Sequence, residues 1–150
     1  MEKKRKIVPP VYFLVTLIAM TALNFRVPVL KYLEPPVSLI GVALIGGGTL
    51  VSAWAAGAFV RAGTPVVPFA PSNVLVASGL YRLTRNPMYL GMVIALLGVA
   101  VLFGTIGALL PVPLFVWIIH TQFVLGEERF LESIFGEEYL AYKKSVRRWI

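Results

Sequence analysis

The chain reads as an all-α membrane protein with about four transmembrane helices, an irregular interfacial cytoplasmic loop and a C-terminal amphipathic helix. Three observations predict it. Of its 150 residues, 58% are hydrophobic and only 14% charged, whereas soluble domains usually carry about a quarter charged residues. The apolar residues gather in uncharged runs long enough to cross a bilayer. The basic residues crowd onto one side of the topology that those runs define. The length suits one domain over residues 1–150.

A basic start, Lys3-Lys4-Arg5-Lys6, precedes a first uncharged run of 19 residues at 7–25. The pattern resembles the opening of a signal peptide, but without a clear small-x-small cleavage site it reads as a retained anchor helix. The second run, 26 residues at 35–60, gives a span at 36–60. It is rich in small residues: Gly41, Gly46, Gly47, Gly48, Gly57 and several alanines. Small faces let membrane helices pack closely; alternatively, Gly46-Gly47-Gly48 thins the helix where a ligand presses against it. Residues 62–81 are also uncharged, but Pro65, Pro68, Pro71, Gly63 and Gly79 would break a lipid-exposed helix repeatedly. We therefore expect an interfacial loop over 61–87, too greasy for a free linker and packed under the bundle.

The run at 88–126 has 39 residues and as one helix would measure roughly 58 Å, about twice the hydrocarbon thickness. It must fold back. Gly104-Thr105-Ile106-Gly107 is the turn, and Pro111 and Pro113 open the return helix, giving spans at 88–103 and 108–126. A tail helix is expected over 127–150, with Phe130, Leu131, Ile134 and Phe135 on its apolar face and Lys143, Lys144, Arg147 and Arg148 near its end.

With four spans, twelve basic residues lie on the side of both termini and the middle loop, and two (Arg26 and Lys31) lie opposite. The crowded side is cytoplasmic by the positive-inside rule. The net charge of +7 then reflects topology and attraction to anionic headgroups; no folded basic domain remains to bind nucleic acid. The absence of cysteine excludes disulfides, thiolate metal sites and cysteine nucleophiles.

Few residues are left to carry chemistry. Arg85-Asn86-Pro87-Met88-Tyr89 puts a cation, an amide and a phenol beside a helix start. Exposed N–H groups and the positive dipole end there suit a carboxylate or phosphate, with Arg85 as a clamp. The alternative is basic anchoring with Tyr89 as an interfacial aromatic. Five of the seven acidic residues fall between Glu127 and Glu138. Glu127-Glu128 returns to the surface of Arg85, either as ligand-binding carboxylates or as hydrated headgroup-level residues. Glu137 and Glu138 read as a solvated face. His120, the one histidine, has no second ligand for a metal site; a hydrogen bond within the bundle suits it better.

Taken in order, Gly79-Leu80-Tyr81, Arg85-Asn86-Pro87-Met88-Tyr89-Leu90-Gly91, Glu127-Glu128 and Phe135-Gly136-Glu137-Glu138-Tyr139-Leu140-Ala141-Tyr142 resemble the isoprenylcysteine carboxyl methyltransferase and phospholipid methyltransferase group of integral-membrane enzymes. Phe59-x-Arg61-x-Gly63-Thr64 is similar to bacterial members. The resemblance covers about two thirds of the chain, from near Gly46 to Val146. It implies S-adenosyl-L-methionine as cofactor, enclosed on the cytoplasmic side, and methyl transfer to a lipophilic or membrane-adjacent small acceptor. Arg85 and Glu128 are the implied catalytic residues, Glu128 as base if one is needed. The implied cofactor site draws on Gly46, Gly48, Leu80, Tyr81, Arg85, Asn86, Pro87, Tyr89, Glu127 and Glu128, and on no metal. Asn86 departs from the prenylcysteine enzymes, which usually have His there. Phospholipid-type members share Asn-Pro, which favours an amine or another acceptor that is not a prenylcysteine. A nicotinamide-dependent reductase similar to sterol reductases and a non-catalytic membrane scaffold are the rival readings.

Overall fold

The computed structural model describes residues 8–26 and 30–150. The Lys3–Lys6 cluster and the first residue of the expected first span lie outside the described residues. Helix α1 runs over Pro9–Arg26 and α2 over Ile40–Arg61. An irregular segment with a short 3-10 turn at Gly79–Arg82 leads to α3, Pro87–Phe103. A continuous helical rod follows: α4 (Ile106–Leu109), α5 (Pro111–Ile119), a π turn at His120–Val124 and α6 (Leu125–Phe135). After a break at Gly136, α7 covers Glu137–Ser145. The described residues contain helices and one isolated bridge, Lys31 to Thr105, but no strand.

The reversal after α3 is tighter than expected: it falls at Gly104-Thr105, and the return helix already starts at Ile106, ahead of Pro111. Gly104 caps the helix in the left-handed region at φ 66°, which glycine adopts without penalty. Thr105 then caps α4 by accepting the Ala108 N–H at 3.3 Å, and Pro111 occupies the first turn of α5. Residues 30–33 cross beneath this turn, with the Tyr32 N–H donating to the Gly104 carbonyl at 2.8 Å.

Helices α2 and α3 form an antiparallel seam of small residues. Gly41 faces Gly98 and Gly48 faces Gly91; a Cβ added at Gly98 would lie 2.7 Å from the Gly41 carbonyl oxygen, closer than atoms can sit. Farther along, the Ser52 hydroxyl donates to the Met88 carbonyl at 2.9 Å. Across the bundle, α1 packs against α4 and α5, bringing Phe13 onto Phe115 and Tyr12 onto Phe123 in edge contacts. Met20, Leu96, Val112, Phe115, Ile119 and Val124 fill the core between them.

Much of the outside of this bundle is apolar. Ile18, Leu50, Trp54 and Trp117 are 62–70% exposed, a surface suited to lipid. Two helices, Val37–Arg61 and Ile106–Phe135, are long and apolar enough to cross a membrane, and α3 is a shorter apolar helix. The protein is membrane-associated.

Two expected boundaries are corrected: the tail helix, expected over 127–150, ends at Ser145, where Val146 turns extended, and it does not begin at 127. The tail was expected to start a new helix at residue 127, but the rod runs on through Glu127 and Glu128 to Phe135. Nothing between Ile119 and Phe135 breaks a helix, and the π turn at His120–Val124 absorbs the local change in winding. The break falls instead at Gly136, whose φ of 50° ends α6.

Candidate active site

One end of the bundle is hollow. The end of α2, the middle loop, the turn into α3, the start of α6 and α7 surround a cavity of about 840 Å³, a volume that includes the open solvent at its mouth. Its apolar wall comes mainly from the middle loop, including Pro65, Val67, Phe69 and Val76, with Phe59, Met88 and Phe130. Thr64 and Ser72 tie the loop together through a 2.6 Å hydroxyl contact. Phe69 is held at φ 60°, an uncommon conformation for a bulky residue, and its ring meets Phe130 edge-on at 6.1 Å. Gly126 makes room for it: a Cβ there would lie 3.0 Å from the Phe69 ring.

The polar wall is built around Arg85. Its backbone N–H donates to the Arg147 carbonyl at 2.9 Å, fixing the turn before Pro87. Its Nη2 pairs with Glu128 Oε1 at 3.2 Å. Arg148 grips the same carboxylate with both arms, Nε to Oε1 at 2.7 Å and Nη2 to Oε2 at 2.9 Å. The Arg148 carbonyl accepts from Asn86 Nδ2 at 2.9 Å and from the Thr84 hydroxyl at 3.0 Å. Glu127, one residue earlier, meets a neutral donor instead: the Tyr89 hydroxyl at 3.0 Å.

Three buried donor atoms in this wall have no hydrogen-bond partner among the described residues: Arg85 Nε, Arg85 Nη1 and the Tyr81 hydroxyl. Buried polar atoms are rarely left so, and both residues line the cavity. Burial pushes the Tyr81 phenol up from its ordinary value, so it stays a neutral O–H donor. Tyr142 locks this turn by donating its hydroxyl to the Tyr81 carbonyl at 2.7 Å. The arrangement suits a ligand that brings acceptors to Arg85 and Tyr81, with Glu127, already bonded to Tyr89, as a further acceptor in the lining. S-adenosyl-L-methionine carries a carboxylate, a ribose diol and an ammonium, and fits that set.

Of the residues expected at the cofactor, Tyr81, Arg85, Asn86, Tyr89, Glu127 and Glu128 line the cavity. Gly46, Gly48, Leu80 and Pro87 do not. Gly48 is used up in the helix seam and Gly46 faces open space. Leu80 packs beside Ala55 and Val76, and Pro87 is buried at the start of α3. The expected role of Glu128 as base also meets an obstacle, because both its oxygens are occupied by guanidinium groups. Glu137 and Glu138 are exposed, as expected of a solvated face. His120 is likewise structural: its Nδ1 accepts from Trp149 Nε1 at 3.3 Å. Sequence reasoning missed Arg148 and the aromatic wall of Phe59, Phe69 and Phe130. The wall's signal was the greasy loop itself; Arg148 had none beyond its charge.

The family model "Phospholipid methyltransferase" matches residues 37–138, and the chain belongs to that family. Among curated proteins it is similar to a "Protein-S-isoprenylcysteine O-methyltransferase" of Schizosaccharomyces pombe, 36% identical over 74 residues, which are 49% of this chain and 31% of the relative. It is also similar to "Protein-S-isoprenylcysteine O-methyltransferase A" of Arabidopsis thaliana, 38% identical over 72 residues, covering 48% and 36% of the two chains. An uncharacterized protein of Haemophilus influenzae is 41% identical over 63 residues, 42% of this chain and the whole of that one. The match thus spans about a third of the length of these two isoprenylcysteine relatives.

Proposed function

We propose that the protein is an integral-membrane enzyme that transfers a methyl group from S-adenosyl-L-methionine to a lipophilic or membrane-adjacent small acceptor with a carboxylate, thiol or amine. The observation that carries this reading is the set of unpartnered donors on Arg85 and Tyr81 in the cavity wall. When bound, the cofactor supplies an electrophilic methyl group on a sulfonium. Arg85 Nε and Nη1 would hold its carboxylate, Tyr81 a ribose or carboxylate oxygen, and Glu127 its ammonium or diol. The faces of Tyr81 and Tyr89 suit the sulfonium charge. Methyl transfer is an in-line displacement, so positioning of the two partners and the water exclusion given by the loop around Phe69 account for most of the rate. A carboxylate or thiolate acceptor needs no base; for an ammonium acceptor, Glu128, held by two guanidinium groups, is poorly placed to take the proton.

The same reading places four spans in the bilayer, both chain ends and the cavity on the cytoplasmic side, and the segment after Gly136 along the membrane surface. Its partners are the bilayer and the acceptor, not nucleic acid. Incubating the purified protein with methyl-labelled cofactor and lipid extracts tests the activity. Label should enter an extractable lipophilic product, and Arg85→Ala should lose most of it. No transfer to any extract, or transfer that Arg85→Ala leaves intact, would contradict the proposal.

A further inference from the structure

We propose that Arg148 is a positioning residue that keeps Arg85 available for an anionic ligand, an inference that rests on the cofactor site described above. Glu128 is buried and Arg85 nearly so, with side chains 7% and 9% exposed. Left alone, such a pair would be expected to close into a two-pronged guanidinium–carboxylate contact, the geometry arginine favours. That contact would consume Arg85 Nε or Nη1. Instead, Arg148 approaches the carboxylate with its own fork, at 2.7 and 2.9 Å, and leaves Arg85 a single contact through Nη2 at 3.2 Å. The two remaining donors of Arg85 stay unpartnered in the cavity wall.

The backbone of the same residue fixes the other half of the site. Its carbonyl takes both the Asn86 amide and the Thr84 hydroxyl, and the preceding carbonyl takes the Arg85 N–H. One residue therefore sets the carboxylate on α6 and the turn before α3, and does so from 20 positions past Glu128. Arg148 itself does not line the cavity, so it acts through Glu128 and Arg85.

A double-substitution cycle on the full chain in detergent, read by calorimetry with S-adenosylhomocysteine, separates this role from general support. Arg148→Gln should weaken binding about tenfold or more, because Glu128 then closes on Arg85. Adding Glu128→Gln to Arg148→Gln should restore at least about threefold of that loss, since the competing carboxylate is gone. A residue that merely supports the fold would give losses that add or deepen. Unchanged affinity in Arg148→Gln, or a double variant no better than the single one, overturns the inference. If Arg148→Gln does not elute as folded protein, Arg148→Lys carries the test: it keeps the charge but loses the fork, and should bind about threefold or more weakly, with unaltered affinity overturning the inference. Failure of the unsubstituted protein to bind S-adenosylhomocysteine would instead overturn the cofactor reading on which the inference rests.

Discussion

Glu127 and Glu128 are adjacent in sequence and opposite in circumstance. Successive helical residues point about 100° apart, so one carboxylate reaches Tyr89 and the other the two arginines. Glu127→Gln should weaken cofactor binding about tenfold by removing a carboxylate acceptor, while Glu138→Ala, on an exposed position, should leave it unchanged; calorimetry on both variants checks this. Glu128→Ala strands Arg85 without its buried counter-charge and should lower stability by about 3 kcal/mol, seen as an earlier thermal transition in detergent. The sequence located this carboxylate pair but not the division of labour within it. That division depends on Arg148, which reaches Glu128 only because α7 turns back at Gly136, and no local pattern announces such a contact.

At the scale of elements, the glycines of α2 serve two different surfaces. Those facing α3 sit where no side chain fits, whereas Gly46 and Gly47 meet nothing within 4 Å. Gly98→Ala should therefore destabilise the seam by about 1–3 kcal/mol. Gly46→Ala should be neutral or stabilising by up to about 1 kcal/mol, because alanine favours the helix. Tryptophan fluorescence on heating distinguishes the two. Composition alone revealed a small-residue helix. Only the pairing of Gly41 with Gly98 and Gly48 with Gly91 shows that its chemistry is packing. The two ends of α3 were legible because Pro87 and Gly104 are unambiguous punctuation. The length of the last rod was not, because two charged glutamates look like a membrane edge whether or not the helix stops there.

For the whole molecule, the charge distribution and the apolar exterior argue for one orientation in the bilayer. Because the chain contains no cysteine, single replacements report sidedness cleanly. Leu110→Cys, at an exposed position beside the α3–α5 reversal, should react with an impermeant thiol reagent applied outside intact cells. Glu138→Cys should react only after permeabilisation. The reverse pattern would invert the topology.

The central claim is that the cavity beside Arg85, Tyr81 and Glu127 holds S-adenosyl-L-methionine. Titration calorimetry of the purified protein with S-adenosylhomocysteine and, in parallel, NADPH tests it most directly. The account predicts saturable binding of S-adenosylhomocysteine that Arg85→Ala abolishes, and none of NADPH. Binding of NADPH alone would mark a reductase, and binding of neither a scaffold; either result would contradict it.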